Sequence, residues 1–88
     1  MKKIIIIGAG AMGSAFGVPC VENKNDVTIV GTHLEDNLIK DIISKDHLHP
    51  GLKTKLPKEI KIIQFNELQS VLKNDILTPK YYIYNFNK

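Results

Sequence analysis

Eighty-eight residues with 12 lysines, no arginine, nine acids, three histidines and one cysteine carry a formal net charge of +3, the size of one small domain. The lysines are scattered with no run longer than a pair, which argues against a nucleic-acid-binding surface. A lone Cys20 excludes an internal disulfide and a cysteine-based zinc cluster, and no apolar stretch reaches the ~20 residues that span a bilayer.

The segment Lys2 to Ile7 reads as a strand buried on both faces, because four successive isoleucines leave no polar alternation. Met1-Lys2-Lys3 before that run imitates a signal peptide, but the glycines that follow at Gly8, Gly10 and Gly13 argue against one. A cytoplasmic protein is expected, in keeping with an unpaired Cys20. From Ala11 to about Lys24 small and apolar residues predict a helix, with a kink near Ala15 to Val18 imposed by Pro19. Asn25 is the candidate for its left-handed end.

Val27 to Val30 is β-branched and predicts a second strand, ending at Gly31. Leu34 to Lys45 repeats apolar residues at helical spacing. His47 to Lys58 contains Pro50, Gly51 and Pro57 and reads as a loop. Glu59 to Phe65 is the third strand, and Asn66 is the expected N-cap of a short helix over Glu67 to Lys73. Strand, helix, strand, helix, strand, helix is an α/β order, half of a doubly wound parallel sheet of Rossmann-like type.

Gly-x-Gly-x-x-Gly between a buried strand and a helix has a physical rationale at each glycine. Gly8 permits the tight turn, Gly10 lets the backbone approach a pyrophosphate, and Gly13 lets the helix lie on the strand. Free N–H groups at the helix start then favour an anion without a basic side chain. A dinucleotide site of this kind usually carries a carboxylate at the end of the second strand, on the ribose 2′-hydroxyl. Here the strand ends Val30-Gly31-Thr32-His33. A hydroxyl and an imidazole remove the repulsion against a 2′-phosphate, so the cofactor is NADP or NAD, with NADP favoured. The nearest acids, Glu35 and Asp36, are expected to favour the following helix N-terminus electrostatically.

His33, His47, His49 and Cys20 fall on separate segments and do not compose a metal site, which needs three or more convergent ligands. They read as three surface histidines and a small filler cysteine. No catalytic constellation is visible.

With these elements placed, the chain resembles the N-terminal part of the NAD(P)-dependent glycerol-3-phosphate dehydrogenases, and their archaeal-like branch in particular. The resemblance covers about residues 1–75 and rests on GAGAMGSAFGVP, NKNDVTIVGT and HPGLKTKLP. Ketopantoate reductase opens with a similar GAGAMGS string, but the His49-Pro50 to Pro57 segment and the Gly31-Thr32 ending fit it poorly. The resemblance implies cofactor contacts at Gly8, Gly10, Ala11, Met12 and Gly13 in the phosphate loop and at Thr32 and His33 at the adenosine end. It also implies dihydroxyacetone phosphate or glycerol 3-phosphate as substrate of the full-length family, catalytic residues outside this chain, and a homodimer. Bacterial members usually carry Ser and an aromatic residue where Ala11 and Met12 stand here.

After Asp75 the text departs from the family's apolar fourth strand. Residues 76–88 read as a divergent tail, either the product of a shifted frame or early stop, or an irregular fourth strand from Tyr81 to Phe86. Without a fourth strand the edge of the first would be open, so pairing by that tail or self-association is expected. Three functions stay open: the cofactor-binding piece of a dehydrogenase, a stand-alone NAD(P)-binding regulatory module, and a non-functional truncated product.

Overall fold

A computed structural model describes residues 2–73 and 81–86. Strand β1 (Lys3–Ile7) is followed by helix α1 (Ala11–Glu22), strand β2 (Asp26–Val30) and helix α2 (Asp36–Ser44). A small pair, β3 (Leu48–His49) and β4 (Thr54–Lys55), precedes β5 (Lys61–Ile63), helix α3 (Leu68–Lys73) and β6 (Tyr81–Asn85). The main sheet has the order β5-β2-β1-β6 and every pairing in it is parallel. This is a partial Rossmann-like α/β fold.

The isoleucine run behaves as a doubly covered strand should. Ile4, Ile5 and Ile6 are all buried, and each fully buried isoleucine contributes about 1.5–3 kcal/mol. Ile4, Ile6, Val27 and Ile29 alternate onto the face that meets Ile39 and Ile42 of α2, with Leu56, Ile60 and Ile62 closing the same core. Helix α1 reaches this face through glycine, since a Cβ at Gly17 would stand 3.3 Å from Ile6 Cδ1 and 3.5 Å from Ile29 Cδ1. Ile5 is buried on the opposite face, where its register partner Ile83 stays exposed.

Helix α1 runs through Pro19 as one helix and ends in a Schellman arrangement, with Lys24 N–H bonded to Val21 O at 2.9 Å and Asn25 N–H to Cys20 O at 3.3 Å. The left-handed residue is Lys24 at φ 64°, not Asn25. Asn25 instead uses its side chain: Nδ2 donates to Cys20 O at 3.0 Å and Oδ1 accepts the Lys2 N–H at 3.1 Å. A side chain that caps the helix and fixes the entry to β1 takes no αL conformation of its own.

Two further expectations are corrected. The 47–58 segment is not a plain loop, because Leu48 pairs with Lys55 and His49 with Thr54 in the antiparallel β3-β4 ribbon. Gln64, not Asn66, caps the turn after β5, its N–H donating to Glu67 Oε1 at 3.0 Å in a capping box ahead of a 3-10 turn over Phe65–Glu67. The N-cap lies two residues earlier because a 3-10 turn precedes α3.

Tyr81–Asn85 pairs with the whole of β1, Lys3 against Tyr81 through Ile7 against Asn85, and Phe86 N–H extends the ladder to Ile7 O at 2.7 Å. Phe16 of α1 packs on Tyr84 and Phe86, with ring centroids at 4.9 and 5.6 Å. Pro79, which has no N–H to give to a sheet ladder, lies outside the described residues.

Candidate functional site

In a parallel sheet ligands gather outside the carboxyl ends of the strands, where the chain order reverses. That edge is formed here by Ile7, Val30, Ile63 and Asn85, which share one level through their pairings. The glycine turn leaves from its centre. Gly8 N–H bonds Val30 O at 2.8 Å and the residue then turns at φ 110°, a value that side chains rarely tolerate. A Cβ at Gly13 would collide with the carbonyl oxygen of Gly8, so the missing side chain is what brings the first turn of α1 onto the loop.

Gly10 is different. It is the N-cap of α1 at φ −63° and ψ 179°, an ordinary extended conformation, and a Cβ there would meet nothing within 4 Å. Neither the backbone nor packing within the chain requires glycine at this position. The open space lies over the helix start, where Gly10, Ala11 and Met12 are exposed. The first amides of an α-helix have no partners within it, and Ser14 N–H to Gly10 O at 3.0 Å is the first helical bond of α1. Three exposed residues at a helix start, with open space where a Gly10 Cβ would stand, suit a phosphate group.

The loop is held from below by its Ala9 peptide. Ala9 is fully buried, and its N–H donates to Glu35 Oε1 at 3.0 Å. Its carbonyl accepts the Ser14 hydroxyl at 3.0 Å and lies 2.8 Å from His49 Nε2. His49 Nδ1 accepts the N–H groups of Gly51 at 3.0 Å and Leu52 at 3.2 Å. Two donors on Nδ1 leave the proton on Nε2, so His49 is a neutral donor to Ala9. His49 is therefore buried, not a surface residue, and His47 is likewise engaged, its Nε2 3.0 Å from Ile60 O.

Glu35 also departs from expectation. Its Oε1 takes the Thr32 N–H at 2.9 Å as well as the Ala9 N–H, so the carboxylate ties the end of β2 to the glycine turn instead of acting only on the α2 dipole. Thr32 is buried, whereas His33 is exposed and meets Phe65 edge-on with centroids 6.3 Å apart. The structure thus brings Gly8, Gly10, Ala11, Met12 and Gly13 together in one loop, with Thr32 and His33 at the end of the neighbouring strand. Among the described residues no group of three or more His, Cys, Asp or Glu side chains could hold a metal ion. Burial pushes the Cys20 thiol above its ordinary value, which keeps it protonated and a poor nucleophile. An open cleft of about 670 Å³ beside Val21, Asn25, Asp26 and Pro57 sits at the opposite end of β2 and includes none of these loop residues.

No protein-family model matches the chain. It is 42% identical over 71 residues to the NADP(+)-dependent glycerol-3-phosphate dehydrogenase of Archaeoglobus fulgidus, a match that covers 81% of this chain and 21% of that protein. Over that stretch the chain is glycerol-3-phosphate dehydrogenase-like. It spans about a fifth of the length of the dehydrogenase it matches.

Sequence reasoning missed Ser14, Glu35 and His49 as parts of this dehydrogenase-like loop. The signal for Glu35 was present as Thr32-x-x-Glu35, the spacing of a capping box. For His49 it was the Pro50-Gly51 that follows, a turn in which a ring nitrogen can collect two amides. Nothing in the spacing pointed either side chain at Ala9.

Proposed function

We propose that this chain binds NADP or NAD as the cofactor-binding part of a glycerol-3-phosphate dehydrogenase, over residues 1–75, with Tyr81–Asn85 supplying the sheet's fourth strand. The observation that carries the reading is Gly10 itself, a glycine at an exposed helix start that neither backbone conformation nor neighbouring atoms demand. In this reading Gly8 and Gly13 shape the turn, Gly10, Ala11 and Met12 meet the pyrophosphate, and Thr32 and His33 mark the adenosine end. The relative's NADP dependence favours NADP, as does the tie of Glu35 Oε1 to two backbone amides, which holds this acid to the glycine turn.

The nicotinamide cofactor supplies a hydride when bound. The chain's own part is to grip and orient it, through backbone donors that need no reorganisation. Reduction of dihydroxyacetone phosphate to glycerol 3-phosphate, and the dimer, belong in this reading to a protein of the relative's length.

Titration of the 88-residue chain with NADPH, followed by nicotinamide fluorescence and by amide chemical shifts, tests the proposal. Saturable binding that shifts Gly10, Ala11 and Met12, with NADPH tighter than NADH, is expected. A folded chain that leaves these amides unmoved by millimolar NADPH would refute it, and tighter NADH binding would overturn the NADP preference.

A further inference from the structure

Both backbone polar groups of Ala9, inside the glycine turn, are taken up by side chains. The N–H goes to Glu35, which follows β2, and the carbonyl to Ser14 of α1 and His49 of β3. Ser14 is local to the turn, but Glu35 and His49 are 26 and 40 residues away in sequence. His49 is held in turn by the Gly51 and Leu52 amides, and Glu35 by Thr32 N–H. Neither of the two peptide planes that meet at Ala9 can rotate freely: turning the first breaks the Glu35 contact, and turning the second, which carries the Gly10 N–H, breaks the Ser14 and His49 contacts. The very next amides, from Gly10 to Met12, have no such partners among the described residues.

We infer that Glu35 and His49 are positioning residues for the phosphate loop: they lock the two peptides that flank Ala9 so that the amides of Gly10 to Met12 converge on one anion. The inference rests on the cofactor reading above. A backbone anion site works by pre-organisation, because donors already aimed at the ligand lose no conformational freedom when it arrives. A half-buried carboxylate contact and a buried imidazole contact hold such a geometry more firmly than sequence-local turn bonds. Their ties to Thr32, Gly51 and Leu52 also make the loop's shape depend on the end of β2 and on the β3-β4 ribbon.

Two pairs of variants separate positioning from general stability. His49→Asn places a side-chain oxygen where Nδ1 accepts Gly51 N–H, in the manner of an Asx turn, but cannot reach Ala9. His49→Gln extends an amide nitrogen toward the Nε2 position. Glu35→Gln keeps an oxygen for both N–H groups, and Glu35→Ala removes it. With NADPH as probe, His49→Asn and Glu35→Ala are expected to bind about tenfold more weakly, the equivalent of one lost hydrogen bond. Their Gly10 to Met12 amide resonances should shift even without ligand, while His49→Gln and Glu35→Gln stay close to the parent chain.

Folded His49→Asn and Glu35→Ala chains that bind NADPH like the parent would overturn the positioning role while leaving the cofactor reading intact. A parent chain that fails to bind would sink the cofactor reading itself, and the positioning role with it. Hydrogen exchange of the unsubstituted chain is a check that needs no variant: Ala9 should be strongly protected while Gly10, Ala11 and Met12 exchange freely. An Ala9 amide exchanging as fast as its neighbours also overturns the inference.

Discussion

A serine at Gly10 and an alanine at Gly13 are expected to act on different properties of the same loop. At Gly13 the added methyl meets the Gly8 carbonyl oxygen, a backbone atom, and comes within 3.4 Å of Ile6 Cγ2. Overpacking of this kind costs about 1–3 kcal/mol, and the gain in helix propensity on replacing an interior glycine returns up to about 1 kcal/mol. A net loss of about 1–2 kcal/mol corresponds in a domain of this size to a Tm lower by roughly 4–16 °C. At Gly10 the new side chain enters open space at φ −63°, and serine is as good an N-cap as glycine or better by a few tenths of a kcal/mol. Gly10→Ser should therefore unfold with the parent and yet lose NADPH affinity by tenfold or more, because its Cβ and hydroxyl fill that space. Thermal melts and an NADPH titration on the two variants decide the matter. A Gly10→Ser chain that binds like the parent, or a Gly13→Ala chain that melts with it, would refute the division of labour.

Two further outcomes follow from the titrating groups. Lys55 and Lys58 beside Asp46 hold its carboxyl below the usual value, through a hydrogen bond from Lys55 first, so the stabilisation is present above pH ~4 and fades as pH falls through the lowered value. Because the group is fully solvated and sits at φ 57°, which asparagine accepts, Asp46→Asn should give a small Tm loss at neutral pH that disappears in 1 M salt. Cys20, with its thiol pushed up by burial, should react with iodoacetamide at pH 8 more slowly in the folded chain than in urea; equal rates would contradict its burial.

The elements of the main sheet were legible because their signals are local and redundant. Four isoleucines, a β-branched second strand and a helical repeat over Leu38, Ile39 and Ile42 each specify one element, and the glycine spacing specifies the turn between two of them. What escaped was set by contacts across the fold. Lys24 takes the left-handed position because Asn25 is needed by both Cys20 and Lys2, a competition no window of sequence displays. His49 looks like a loop histidine until the β3-β4 ribbon carries it under Ala9. The tail from Tyr81 was ambiguous because a run of Tyr, Ile and Asn has strand propensity without an alternating pattern, and only β1 as a neighbour gives it a register.

The position of β1 in the sheet also bears on how the chain reaches this fold. Its two neighbours are β2, which follows almost at once, and β6, which comes from the far end of the described chain. The first pairing closes a loop about the length of one helix, whereas the second must close a loop that contains nearly everything else. Loop-closure entropy rises only slowly with length, yet contacts this distant in sequence slow the approach to the native state. In the interval the run Ile4 to Ile7 shows a flat, unpaired apolar edge, the kind that captures strands from other chains. The hazard this fold carries is thus an unpaired β1 edge, covered only while β6 is in place.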